Sequence, residues 1–108
     1  MIFGMGTDMI EIERVVIACE KNRHFVHTVF TEAERIYIKK DIKKAASNFA
    51  VKEAVVKMFG TGFGKIKGIE IECLRNENGA PYINLYGDAE KFALENQIQN
   101  IFVSITHT

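Results

Sequence analysis

Cysteine, proline and long apolar runs are all scarce in this 108-residue sequence, and its formal net charge at pH 7 is zero. The two cysteines, Cys19 and Cys73, stand far apart in no CxxC pair. That excludes a disulfide scaffold or a cysteine-rich metal site and predicts two reduced, partly buried thiols. One proline and no low-complexity tract leave an ordinary globular composition, 47% hydrophobic and 26% charged. No apolar run reaches membrane-spanning length. Met1-Ile2-Phe3-Gly4 also lacks the basic start and long apolar stretch of a secretion signal. These features predict a cytoplasmic protein with no membrane partner. Zero net charge gives no overall attraction to nucleic acid. A chain of this length forms one domain with a modest core.

What is present is a local excess of positive charge. Between residues 35 and 57 stand Arg35, Lys39, Lys40, Lys43, Lys44, Lys52 and Lys57, against Asp41 and Glu53. Such a stretch suits an anionic ligand or partner, although solvated lysines on helix faces give the same pattern.

Periodicity divides the chain into a helical first half and a strand-rich second half. Ile2–Gly6 reads as a short strand, after which Thr7 or Asp8 can cap a helix running to about Lys21, with Ile10, Ile12, Val16 and Ile17 apolar. Thr31-Glu32-Ala33-Glu34 is a capping-box pattern that opens a helix toward Lys40. A further helix is expected from about Lys43 to Phe59, stopped by Gly60-Thr61-Gly62-Phe63-Gly64. Ile69, Ile71 and Cys73 alternate with Glu70 and Glu72, the period of a half-buried strand. The turn-rich Asn76–Pro81 then leads into Tyr82–Tyr86, completing a hairpin. Gly87-Asp88 opens a short helix to about Gln97, and Asn100–Thr106 is a last strand. The expected order is βαααββαβ, an α+β domain with a mainly antiparallel sheet and packed helices. Residues 22–30 and 60–68 read as loops.

Three residues could carry chemistry. Asp8 sits where a glycine-rich strand end meets a helix start, while Glu53 and Lys57 stand four apart and so project from one helix face. Carboxylates on two separate elements suit Mg²⁺, which takes hard oxygen ligands and leaves room for waters and substrate phosphates. A lysine adds a point charge for a phosphate oxygen. A plain helix cap at Asp8 and a surface ion pair between Glu53 and Lys57 fit the same spacing.

The literal strings are more specific. Gly4-Met5-Gly6-Thr7-Asp8-Met9-Ile10-Glu11-Ile12-Glu13-Arg14 resembles the opening motif of holo-acyl-carrier-protein synthases, members of the 4′-phosphopantetheinyl transferase family. Phe49-Ala50-Val51-Lys52-Glu53-Ala54-Val55-Val56-Lys57 followed by Gly60-Thr61-Gly62 resembles that family's central helix motif. Ile69-Glu70-Ile71, Asn78-Gly79-Ala80-Pro81-Tyr82 and Val103-Ser104-Ile105-Thr106-His107 follow in the family's order. The resemblance covers essentially the whole chain, and five ordered motifs are far more specific than any one.

The resemblance implies transfer of 4′-phosphopantetheine from coenzyme A to a serine of acyl carrier protein in fatty-acid biosynthesis, with Mg²⁺ as cofactor and a homotrimer as the assembly. It implies Asp8 and Glu53 as metal ligands and, with Lys57, as the catalytic set. Lys57 would face the phosphates of coenzyme A. Gly60, Gly62, Asn78, Gly79, Pro81, Thr106 and His107 would line the nucleotide end. Arg14, Lys21 and Arg23 would meet the acidic carrier protein. Three departures stand out: Asn48 where many relatives carry a basic residue, Ile10 where a third acidic ligand would stand, and an end at Thr108 where relatives continue into another strand. The last makes the domain, residues 1–108, one that lacks the family's C-terminal strand, and suggests a second reading: a catalytically impaired relative that binds coenzyme A or a carrier protein. A third reading is a small α+β domain for another anionic ligand.

Overall fold

Helix α1 (Met9–Lys21) begins the part of the chain that the computed structural model describes, residues 9–98. It is followed by α2 (Arg23–Val29), α3 (Glu32–Lys40) and α4 (Lys43–Phe59). Two short 3₁₀ turns, Gly62–Gly64 and Gly68–Glu70, lead to strands β1 (Ile71–Arg75) and β2 (Pro81–Leu85) and to helix α5 (Gly87–Glu95). The result is a small α+β domain of five helices and one two-stranded antiparallel sheet among the described residues. The strands expected over 2–6 and 100–106 lie outside those residues.

Residues 23–29, expected as a loop, form a helix. Asn22 caps it by accepting a hydrogen bond from the Phe25 amide at 3.1 Å, and Phe25, Val26 and Val29 lean on the same core as α1 and α4. Its seven residues are too few for periodicity to reveal, and none is fully buried. The capping box at α3 forms as expected: Thr31 Oγ1 accepts from the Glu34 amide at 3.3 Å, and Glu34 Oε1 accepts from the Thr31 amide at 3.0 Å. The hairpin also forms, in the register Ile71↔Leu85 and Cys73↔Ile83. Asn76 organises its turn, with Oδ1 accepting from the amides of Asn78 at 2.9 Å and Ala80 at 3.0 Å.

Strand β1 departs from simple alternation. Glu72, expected on the wet face, is only 7% exposed. Its carboxylate accepts from Thr31 Oγ1 at 2.5 Å, Tyr86 OH at 3.0 Å and Asn84 Nδ2 at 3.1 Å, so three donors replace the water it loses. Ile69 lies in the 3₁₀ turn instead of the strand. Helix α5 takes its cap from elsewhere as well: Glu70 Oε2 accepts from the Asp88 amide at 2.6 Å.

Helix α4 is the central element. Between Ala45 and Phe59 it is buried nearly all round, and it joins two apolar clusters. Its first half packs Ala45 and Ala46 with Val15, Phe30 and Ile38. Its second half packs Val55, Val56 and Phe59 with Ile66, Ile71, Ala89 and Ala93.

Candidate functional site

On this buried helix Glu53 and Lys57 are exposed, one turn apart, while Lys52, Val55 and Val56 beside them are covered. The period of α4 therefore brings one carboxylate and one ammonium to the same open strip. Glycine then shapes what lies beyond. Gly60 ends the helix at φ 77°, and the amides of Gly60 and Thr61 return to the carbonyls of Lys57 and Val56, each at 3.1 Å. The chain doubles back, and Phe63 stacks on Phe49 with ring centroids 5.8 Å apart and planes 16° from parallel. Phe49 precedes Glu53 by one turn, so the loop is clamped onto the helix beside the charged pair.

The outcome is an open concavity of about 420 Å³ lined by Glu53, Val56, Lys57, Gly60, Gly62 and Phe63. It combines an apolar wall with a carboxylate, an ammonium and glycine backbone. Thr61 Oγ1, between two lining glycines, is buried with no hydrogen-bond partner among the described residues. Such a surface can receive a ligand with an anionic part and an apolar part. Among the described residues no cluster of three or more histidine, cysteine, aspartate or glutamate side chains forms a ready metal cage. A cation here would therefore draw on Glu53 with oxygens from elsewhere.

Residues 4–106 match the model of the 4′-phosphopantetheinyl transferase superfamily. The chain belongs to that superfamily. Within it, the chain is an enzyme of the holo-acyl-carrier-protein synthase kind. A relative of that name from Lachnoclostridium phytofermentans is 61% identical over 108 residues, covering all of this chain and 88% of the relative. Another, from Alkaliphilus metalliredigens, is 46% identical and is covered to 91%. A solved acyl carrier protein synthase from Plasmodium yoelii with ADP bound superposes with a TM-score of 0.74 at 31% identity, over 86% of this chain and 75% of that one.

The structure of this transferase brings together four of the residues expected at its site: Glu53, Lys57, Gly60 and Gly62. Asp8, Thr106 and His107 lie outside the described residues. Asn78, Gly79 and Pro81 form the β1–β2 turn and the start of β2, and they are not among the residues lining the concavity. Arg14 and Lys21 are exposed and one heptad apart on α1, with Arg23 exposed at the start of α2. Glu13 and Glu20 form a parallel exposed acidic row, so the basic stripe is flanked by opposite charge. Among the described residues no helix is long and apolar enough to cross a membrane.

Two residues from the basic stretch read differently once placed. Lys52 is fully buried and paired with Glu34 at 2.6 Å, so it adds nothing to an exposed positive surface. Asn48, 1% exposed, donates to Glu34 Oε2 at 3.0 Å and to the Cys73 carbonyl at 3.1 Å. Its amide thus answers a carboxylate and a backbone acceptor inside the core, and Asn48 is not among the residues lining the concavity. Burial pushes the Glu34 carboxyl above its usual range and the Lys52 ammonium below its own, against the attraction between them. No local spacing signals this network, because its members come from three segments distant in sequence.

Proposed function

We propose that the chain transfers 4′-phosphopantetheine from coenzyme A to a serine hydroxyl of an acyl carrier protein, using Mg²⁺ and releasing adenosine 3′,5′-bisphosphate. The observation that carries this reading is Glu53 and Lys57 side by side on the wall of an open concavity closed by a glycine turn. The relatives' names support it. So does the ADP bound to the Plasmodium neighbour, because coenzyme A shares the adenosine and the 5′-diphosphate of that molecule.

In the proposed step the serine oxygen attacks the β-phosphorus of coenzyme A and an O–P bond forms. The bond from that phosphorus to the bridging oxygen breaks, and adenosine 3′,5′-bisphosphate leaves with the electron pair. The serine proton passes to a carboxylate or water at the site. Glu53 would hold Mg²⁺: it is a hard carboxylate oxygen donor, exposed, on the wall of an open concavity. Asp8 is proposed as the second carboxylate. The chemistry that a Mg²⁺ held there would supply is positive charge beside the phosphoanhydride as it breaks. Lys57 offers its ammonium to a phosphate oxygen and stabilises charge building on the leaving bisphosphate. Val56 and Phe63 shield the reacting phosphate from water on one side.

Gly60, Gly62, Asn78, Gly79, Pro81, Thr106 and His107 are proposed for the nucleotide end, and Arg14, Lys21 and Arg23 for the acidic face of the carrier. A homotrimer, a cytoplasmic setting and fatty-acid biosynthesis complete the proposal. Its test is Glu53→Gln, which keeps the side chain's shape and removes its charge. Turnover should fall by about 10²-fold or more with little change in melting temperature. A normal rate at limiting Mg²⁺ would remove Glu53 from the site.

A further inference from the structure

The reacting strip of α4 is backed by a closed polar network that the proposed chemistry leaves unused. Lys52 Nζ donates to Glu34 Oε1 at 2.6 Å, to the Gly68 carbonyl at 2.8 Å and to the Ile71 carbonyl, which engages all three ammonium protons. Glu34 accepts four bonds: Lys52 and the Thr31 amide on Oε1, and Asn48 Nδ2 and the Cys73 amide on Oε2. Both side chains are 0% exposed, and Lys52 Nζ also sits 5.5 Å from the centre of the Phe30 ring. Through these bonds α4 is tied to the start of α3, to the Gly68–Glu70 turn and to β1. The network lies between the two apolar clusters that α4 joins.

Apolar burial does not orient a helix by itself. It is non-directional, and α4 meets much of its core through small residues, Ala45, Ala46 and Ala50. A buried ion pair adds little net stability relative to apolar side chains of the same size, and its best-attested use is to fix register. Here the Lys52 ammonium and the Glu34 carboxylate are fully engaged, so sliding or rolling α4 would break several bonds at once. Glu53 is the next residue after Lys52. A 10° roll would move its carboxylate by about 1 Å at the outer radius of a helix, a misplacement that can cost on the order of 10²-fold in rate.

We infer that Glu34 and Lys52 are positioning residues: the pair fixes the rotation and axial register of α4, and thereby where Glu53 and Lys57 stand over the Gly60–Gly64 turn. The inference rests on the functional reading above for its effect on turnover, while its structural half stands independently.

The test compares wild type, Glu53→Gln, the milder Glu34→Gln and the double variant Glu34→Leu/Lys52→Met, which replaces the pair with apolar side chains of similar length. Three quantities are read: amide hydrogen exchange over residues 53–59, the Kd of coenzyme A by calorimetry, and kcat per folded molecule. In the double variant the expected result is a cooperative melt, at least tenfold faster exchange over 53–59, weaker coenzyme A binding and at least tenfold lower kcat. Glu34→Gln should shift the same quantities in the same direction by less. Wild-type exchange, Kd and kcat in either folded variant would overturn the inference. So would a loss of activity that vanishes once rates are divided by the folded fraction. If wild type transfers nothing and binds no coenzyme A, the functional reading fails, and unchanged exchange over 53–59 would still overturn the positioning claim.

Discussion

Gly68 and Gly64 stand four residues apart in the segment that links α4 to β1, and adding one methyl group to each should have opposite consequences. A Cβ at Gly68 would lie 2.8 Å from both the Cα and the carbonyl oxygen of Val29, and 3.0 Å from Val29 Cγ1. Two of the three opposing atoms are backbone, so a rotamer change cannot relieve the contact. Separation must grow by about 0.7 Å to reach an ordinary carbon contact. Overpacking of this kind costs about 1–3 kcal/mol, offset by up to about 1 kcal/mol from the reduced freedom of the unfolded chain. A net loss of about 1–2 kcal/mol lowers the Tm of a domain this size by roughly 5–10 °C. The Gly68 carbonyl also accepts from Lys52, so any shift strains the network behind α4. A Cβ at Gly64 meets nothing within 4 Å, and its backbone is outside the left-handed region. Gly64→Ala should therefore leave Tm unchanged or raise it by a few degrees, consistent with about 0.5 kcal/mol. Thermal melts followed by circular dichroism compare the two. The reasoning is refuted if Gly68→Ala melts within about 2 °C of wild type. That result would mean that α2, which has no fully buried residue, moves aside at little cost.

Three further outcomes follow from the same structure. Burial raises the affinity of Glu72 for a proton, but hydrogen bonds from Thr31, Asn84 and Tyr86 outweigh it and hold the carboxyl below its ordinary value. Its stabilisation is present above the unfolded carboxylate pKa of about 4.3 and is lost as pH falls through the lower folded value. The Tm gap between wild type and Glu72→Gln should therefore be wide at neutral pH and close in acid, and a gap independent of pH would contradict this. Burial, with Glu20 adding to it, pushes the Cys19 thiol up to about 11, and burial raises that of Cys73 too. At pH 8 only about one Cys19 in 10³ is thiolate, so iodoacetamide should label neither cysteine quickly until the protein unfolds. Rapid labelling of the native state, seen by intact mass, would show that the thiols are not sheltered. For the proposed carrier surface, Arg14→Glu should raise KM for the carrier protein and leave KM for coenzyme A nearly unchanged. Added salt should weaken the wild type more than the variant, and equal effects on both substrates would dismiss the docking role.

Much of the helical half was legible because its signals are local. The Thr31–Glu34 capping box, the glycine stop after Phe59 and the i, i+4 spacing of Glu53 and Lys57 each lie within one or two turns of chain. The Asn76–Ala80 turn was legible for the same reason. What escaped depends on contacts between distant segments. Glu34 announces itself as a capping residue, yet the same carboxylate closes on Lys52 eighteen positions later, and no periodicity relates them. Glu72 reads as the polar half of an alternating strand until Thr31, Asn84 and Tyr86 converge on it. Residues 23–29 form too short a helix to show a period, and Asn22 was the one local cue, a side chain able to cap it. The family motifs marked Glu53 and Lys57, whereas the concavity itself depends on Phe63 folding back onto Phe49, which the string of glycines around Phe63 does not reveal.

The most direct measurement is the intact mass of an apo acyl carrier protein after incubation with this chain, coenzyme A and Mg²⁺, with Glu53→Gln run alongside. The carrier should gain the mass of one phosphopantetheinyl group on a single serine. Adenosine 3′,5′-bisphosphate should appear in equal amount, and the gain should be slower with Glu53→Gln by about 10²-fold or more. A folded wild-type chain that leaves the carrier's mass unchanged, or a Glu53→Gln chain that modifies it at the wild-type rate, would contradict the account.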